Sequence, residues 1–158
     1  MDVLVAGAGE IGRWVADTLS ADASPVDAGV AFADRDPAVA ADAAADRDAR
    51  TAAADGDSVH DVVCLAVPMS AVPAAVETYA PRAERAIVDV SGAMTRAVAA
   101  MREHAPDIER ASYHPHFAPP RVPGHVAVVV DEPGPAAAAV SHPVEAGGNA
   151  LCQATADA

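Results

Sequence analysis

The 158-residue chain contains no lysine, only two cysteines and no long apolar run. Its ten basic residues are all arginine, set against 23 carboxylates, for a formal charge of −13. Charge of that sign repels phosphate backbones and anionic lipid, and no basic patch interrupts it, so nucleic acid and membrane surfaces are excluded as partners. The longest apolar stretches, Val62 to Val67 and Val126 to Val130, fall far short of the roughly 18 to 20 residues of a membrane span. Asp2 and the glycines from residue 7 make the N-terminus unlike a signal peptide. Cys64 and Cys152 lie far apart, each in an apolar run, and read as two buried thiols in a reducing compartment. A soluble, cytoplasmic protein is expected.

What the chain does have is alanine, at about a quarter of its residues, and a surplus of aspartate. That composition is expected of a protein working at high salt, where dense carboxylates keep the surface hydrated after screening weakens ordinary repulsion. A hydrophobic content of 52% over this length suits one compact domain, residues 1–158.

Short apolar runs alternate with alanine-rich amphipathic segments, a rhythm that predicts an α/β fold with a mostly parallel sheet and crossover helices. Strands are expected at Asp2 to Ala6, Val30 to Ala33, Val62 to Val67 and Ala86 to Val90, each apolar throughout because helices cover both faces. Helices are expected at Ile11 to Leu19, Pro37 to Ala45, Ser70 to Tyr79 and Thr95 to His104. Beyond His104 the pattern predicts a strand at Ala111 to Tyr113, a proline-dense loop from Pro115 to Pro123 and a strand from His125 to Val130. A helix over Gly134 to Ala146, broken or ended near Pro143, and a strand at Ala150 to Ala154 complete it. Asp46 to Asp57 has no clear period and leaves a further short strand undecided.

The strongest chemical signal is Gly7-Ala8-Gly9-Glu10-Ile11-Gly12, between a strand and a helix. Gly7 permits the tight turn, Gly9 lets the backbone approach a pyrophosphate, and Gly12 lets helix and strand pack closely, while Glu10 and Ile11 open the helix whose free N–H groups face the phosphates. Asp34 ends the second strand 22 residues beyond Gly12, where a carboxylate holds the ribose hydroxyls of a dinucleotide. A carboxylate there repels the 2′-phosphate of NADP and favours NAD, although Arg35 beside it suits a 2′-phosphate and keeps NADP as the alternative.

Three further strand ends point to the same edge of the sheet. Val67 and Pro68, in Leu65-Ala66-Val67-Pro68, either border the nicotinamide or simply terminate a strand. In Asp89-Val90-Ser91-Gly92, the Ser91 hydroxyl is a ligand for cofactor or substrate, or a local backbone partner, and Asp89 caps backbone groups. In Tyr113-His114-Pro115-His116-Phe117, the His114 imidazole is placed to take a proton as hydride leaves the same carbon, against the alternative of a hydrogen-bonded structural histidine. His114, His116 and His125 lack a recognised third-ligand pattern, so no metal is expected. His60, His104 and His142 read as surface or core fillers.

With these residues assembled, the chain resembles the N-terminal, NAD(P)-binding half of the prephenate dehydrogenase family. The resemblance rests on GAGEIG at residue 7, Asp34, LAVP at 65, VDVSG at 88 and above all YHPHFAPP at 113, similar to the family's HPMFGP segment. It implies a Rossmann-type, doubly wound domain and oxidative decarboxylation of prephenate or arogenate in tyrosine biosynthesis, with His114 accepting a hydrogen bond from the substrate's ring hydroxyl. The family's Ser-Val-Lys aligns with Gly92-Ala93-Met94, so Ser91 substitutes only from the adjacent position. The family also continues into an all-helical domain that forms the homodimer and supplies an arginine for a substrate carboxylate. On this reading that domain is absent from the chain, which is the cofactor-binding half. The competing expectations are another NADP-dependent reductase sharing the domain, such as a deazaflavin-dependent or imine reductase, and a nucleotide-sensing regulatory module like those of potassium-uptake systems.

Overall fold

The computed structural model describes residues 1–119 and 121–156. Pro120, inside the proline-dense loop, and Asp157 and Ala158 lie outside the described residues. Along the chain run β1 (Asp2–Ala6), α1 (Glu10–Ser20), β2 (Gly29–Ala33), α2 (Pro37–Ala45), β3 (Arg50–Thr51), β4 (His60–Leu65) and α3 (Val72–Tyr79). They are followed by β5 (Ala83–Asp89), α4 (Met94–His104), β6 (Glu109–Pro115), β7 (His125–Glu132), α5 (Pro135–Ala146) and β8 (Ala150–Gln153).

The strands form one sheet in the order β3-β2-β1-β4-β5-β6-β7-β8. β3 through β6 are parallel, β7 returns antiparallel to β6, and β8 is parallel to β7. The first six strands thus have the Rossmann order 3-2-1-4-5-6, and the fold is a doubly wound α/β sheet with two strands added at one edge.

Alternation along each strand feeds two cores. Val3 and Val5 of β1 join Trp14, Val15 and Leu19 of α1 and Val140 and Val144 of α5 on one face. Leu4 and Ala6 join Val72 and Val76 of α3 and Val98 and Met101 of α4 on the other. Each such aliphatic side chain contributes about 1.5 to 3 kcal/mol on burial, and the aromatics Trp14, Phe32, Tyr79 and Tyr113 are buried among them. α2 buries only Ala40, Ala43 and Ala44. Its start is fixed by Asp36, whose carboxylate accepts from the Ala38 N–H at 3.0 Å, with Pro37 preset for the first turn. α5 is capped from a distance, where Glu109 of β6 accepts the Ala137 N–H at 2.6 Å.

Several expectations are corrected. The undecided segment contains β3, whose two exposed polar residues pair with Ala31 and Phe32 at the sheet edge. The connection from β3 to β4 is pinned by Arg82, which is 3% exposed. It donates to the carbonyls of Ala53 and Ser58 at 2.9 and 3.0 Å and to the Ser58 hydroxyl at 2.8 Å, while lying over the Tyr79 ring. α5 does not break at Pro143 but runs on to Ala146, because a proline one turn from the end removes only one helical hydrogen bond. Cys152 is exposed, not buried, because β8 is an edge strand; Cys64, on a central strand, is buried as expected. Burial pushes the Cys64 thiol pKa well above its ordinary range. The fourth strand begins at His60 and ends at Leu65, so Ala66 and Val67 belong to its exit. Among the described residues no helix is long and apolar enough to cross a membrane.

Candidate functional site

Chain connections leave β1 for α1 on one face and β4 for α3 on the other, so the carboxyl ends of these adjacent strands diverge and open a crevice. A cleft of about 1010 Å³ occupies that position. Its floor is the glycine turn. Gly7 has a φ of +103° and donates its N–H to Ala33 at 2.8 Å, and a Cβ there would fall 2.3 Å from the Ala66 carbonyl oxygen. Gly12 is turned away from the cleft, where a Cβ would fall 1.9 Å from the Gly7 oxygen, so only glycine lets α1 sit this close to β1.

Gly9 is different: a Cβ placed on it meets nothing within 4 Å. The space beside it is the cleft, and the first turn of α1 has no side-chain cap to use its N–H groups. An open main-chain surface at a helix N-terminus is what a pyrophosphate requires, so the residues present fit a dinucleotide.

Asp34 is half-buried at the exit of β2. Its Oδ2 accepts the Ala8 N–H at 3.0 Å and its Oδ1 accepts the Asp36 N–H at 2.9 Å. Those two bonds lock the carboxylate across the glycine turn and leave lone pairs free for ribose hydroxyls. Arg35 is exposed, lines the same cleft and has no ion-pair partner among the described residues. Glu10, Asp34 and Asp36 give the cleft three carboxylates against that one guanidinium.

Val67 and Pro68 form part of the wall, held in place by the Ala66 N–H donating to Ala6 at 2.7 Å. The cleft ends at Val90 and Ser91. Its remaining lining includes Tyr79 and the 3-10 turn Met69–Ala71, which sequence reasoning missed because Ser70 reads as the start of a helix. Met69 is 54% exposed and offers a bare apolar wall, a residue type that carries no recognisable motif.

His114 does not line the cleft itself but stands just past its end. Gly92, with φ +84°, presses its backbone against the imidazole, so a Cβ there would fall 2.8 Å from His114 Cδ2 and 2.9 Å from Nε2. The His116 ring meets it edge-to-face at 4.8 Å. The following loop is fastened to α1, where Phe117 packs edge-on against Trp14 at 5.2 Å. Ser91 spends its hydroxyl oxygen on the Ala93 N–H at 3.1 Å, which shapes the turn into α4.

Below this edge lie Asp89, which holds a backbone N–H as expected, and Tyr113; the side-chain partners of both, Ser112 and Ser141, are marked by no local pattern. Asp89 is fully buried, accepting the Ser91 N–H at 3.0 Å and the Ser112 hydroxyl at 2.8 Å. Burial raises its pKa, opposed by those hydrogen bonds and by the nearby His114. On the other face Tyr113, pushed up to about 12 by burial, shares a 2.5 Å hydrogen bond with Ser141 of α5. Among the described residues no group of three or more histidine, cysteine or acidic side chains is placed to hold a metal.

A mostly parallel sheet of this order, with a glycine turn after β1 and an acidic residue at the end of β2, defines a Rossmann-type α/β fold. No protein-family model and no curated protein matches the sequence. Solved structures do match. The prephenate dehydrogenase from A. aeolicus, in complex with hydroxyphenyl propionate and NAD+, is 15% identical with a TM-score of 0.74, covering 99% of this chain and 60% of that one. The arogenate dehydrogenase of Synechocystis is 14% identical with a TM-score of 0.75, covering 98% of this chain and 60% of that one. A pyrroline-5-carboxylate reductase from Coxiella burnetii is 11% identical with a TM-score of 0.71, covering 97% and 58%. The chain therefore spans about 60% of the length of these structures, and what they share with it is the fold.

Proposed function

We propose that the protein is a nicotinamide-dependent oxidoreductase of the prephenate dehydrogenase type, acting on prephenate or arogenate in tyrosine biosynthesis, with this chain as the cofactor-binding half of a homodimeric enzyme. The observation that carries the reading is His114, an imidazole seated on Gly92 directly beyond the end of a dinucleotide-sized cleft. The likeness to solved prephenate and arogenate dehydrogenases supports it.

In this reading the main chain at Gly7, Gly9, Glu10 and Ile11 binds the pyrophosphate, and Gly12 keeps α1 close enough to aim its N-terminus there. Asp34 orients the adenosine ribose and selects NAD over NADP, with Arg35 beside the same ribose. Val67 and Pro68 exclude water from one side of the nicotinamide, which when bound supplies the hydride acceptor. His114 accepts the hydrogen bond of the substrate hydroxyl, holding the carbon that loses hydride in line with the cofactor. Ser91 positions the turn beneath His114 through its bond to Ala93.

Separate titrations with NAD and NADP test the cofactor assignment; the expected result is tighter binding of NAD, and binding of neither would end the reading. Turnover of prephenate and arogenate, followed by nicotinamide reduction, tests the substrate. His114→Ala is expected to abolish turnover while NAD affinity stays within about threefold. Unchanged turnover in that variant would remove His114 from the chemistry, and nucleotide binding with no turnover of either substrate would favour a sensing module.

A further inference from the structure

Asp89 is the only acidic residue among the described ones with 0% of its surface exposed. Its hydrogen-bond partners are all neutral: the Ser91 N–H on Oδ1 and the Ser112 hydroxyl on Oδ2. A carboxylate taken out of water without a cation beside it is costly, and replacing it by a neutral isostere would be an easy improvement for stability alone.

Its surroundings lead to His114 along two routes. Asp89 pairs in register with Ser112 across β5 and β6, and Ser112 and His114 are two residues apart on one strand, so all three side chains share a face of the sheet. The second route is the turn after β5, whose Ser91 N–H is held by Asp89 and whose Gly92 backbone carries the imidazole at 2.8 to 2.9 Å from a would-be Cβ. His116 faces His114 from its own strand end, and the first turn of α4, which follows the turn, carries no acidic residue. Asp89 is thus the negative group that β5 sets against this pair of imidazoles.

We propose that Asp89 is a positioning residue for the reaction, a buried counter-charge that fixes the Ser91–Gly92 seat of His114 and stabilises positive charge arriving on the imidazole. This rests on the proposed role of His114 as acceptor. In the oxidative decarboxylation, hydride leaves the hydroxyl-bearing carbon for the oxidised nicotinamide. The bond to the departing carboxylate breaks, its electron pair enters the ring and carbon dioxide leaves. While that carbon is electron-poor, the hydroxyl proton leans toward the imidazole nitrogen. The charge it brings meets the field of the buried Asp89 carboxylate on the same face of the sheet, where attraction is stronger than in water.

Asp89→Asn keeps both hydrogen bonds, since the amide oxygen still accepts from Ser91 and the amide nitrogen can donate to the Ser112 hydroxyl. On prephenate it is expected to lower kcat about tenfold or more, leave KM within about threefold and move the acid limb of the kcat profile to lower pH. In a His114→Gln background it should have no further effect. An unmoved acid limb, or the same loss in both backgrounds, would overturn the proposal. Carbon NMR of the Asp89 carboxyl, which needs neither substrate nor the Asp89→Asn fold, reads the coupling from the other side. His114→Gln should move its titration to higher pH, and an unchanged titration would overturn the proposal even if turnover is found. Should the shift appear while neither prephenate nor arogenate is turned over, the pairing stands and the substrate assignment is what fails.

Discussion

Adding one methyl group at Gly9 separates binding from folding. The backbone at Gly9 has φ −79° and ψ −164°, which alanine adopts freely, and its Cβ would meet nothing within 4 Å. Alanine is a poorer helix N-cap than glycine by up to about 1 kcal/mol, offset by about 0.4 to 1 kcal/mol from a less flexible unfolded chain. The net change in stability should therefore lie within about 1 kcal/mol, a melting shift of roughly 2 to 4 °C. Binding should respond quite differently, because the methyl occupies the approach to the main chain at the head of α1. Holding a phosphate off by about 1 Å forfeits one or two charge-assisted hydrogen bonds, each about 1.5 to 3 kcal/mol. NAD affinity should fall by roughly tenfold if one weak bond is lost and by more than roughly ten-thousandfold if two strong ones are. Calorimetric titration with NAD alongside thermal melting by circular dichroism measures both quantities on one sample. A Gly9→Ala protein that melts normally and binds NAD within about threefold of wild type would refute the placement of the pyrophosphate. Gly12→Ala is the contrast, since its Cβ at 1.9 Å from the Gly7 oxygen strikes main chain and must disturb the fold first.

Asp34→Ser removes the carboxylate and leaves Arg35 beside the ribose, so the ratio of NADP to NAD affinity should rise about tenfold or more in paired titrations; an unchanged ratio would contradict the assignment. Asp131 is held below its ordinary carboxyl pKa because the hydrogen bonds and charges of Arg102 and Arg110 outweigh the opposing, largest single effect of burial. Its contribution to stability is complete above the unfolded value of 3.8 and is lost as pH falls through the lower folded value. Asp131→Asn should cost about 3 kcal/mol near neutral pH in urea unfolding, with the difference closing in acid. Asp89 has the opposite sign: burial raises its folded pKa, so it destabilises the fold as pH rises above 3.8. Asp89→Asn should therefore melt higher than wild type at neutral pH and gain nothing below pH 3.8, and a lower melting temperature at neutral pH would contradict the sign.

The central strands and the glycine turn were legible because buried parallel strands write themselves as unbroken apolar runs and because a turn against a helix leaves glycines at fixed spacing. Asp34 was legible for the same reason, as a polar residue ending such a run. β3 was not, since two exposed polar residues on an edge carry no periodic signal. Cys152 was misread because an apolar run does not say whether its strand is central or at the edge. The bond between Ser112 and Asp89 joins residues 23 apart in sequence, and only the register of β5 against β6 brings them together. Ser112 sits in an unremarkable strand, so no local pattern marks it. His114 was readable as a strand-end imidazole, whereas its seat on Gly92 depends on a positive φ that the sequence suggests only by the glycine itself.

The cleft's imbalance of charge bears on how affinity depends on salt. Three carboxylates and one guanidinium line the cleft, in a chain of net charge −13, while the cofactor proposed for it carries a dianionic pyrophosphate. Attraction there comes from main-chain dipoles at close range, which dissolved ions screen little, while the repulsion comes from carboxylates spread over distances comparable to the Debye length, which they screen strongly. Most anion-binding proteins grip through side-chain cations and lose affinity as counterions compete. This pocket should do the reverse, its NAD dissociation constant falling as potassium chloride is raised, so that ionic strength acts as an activator of cofactor loading.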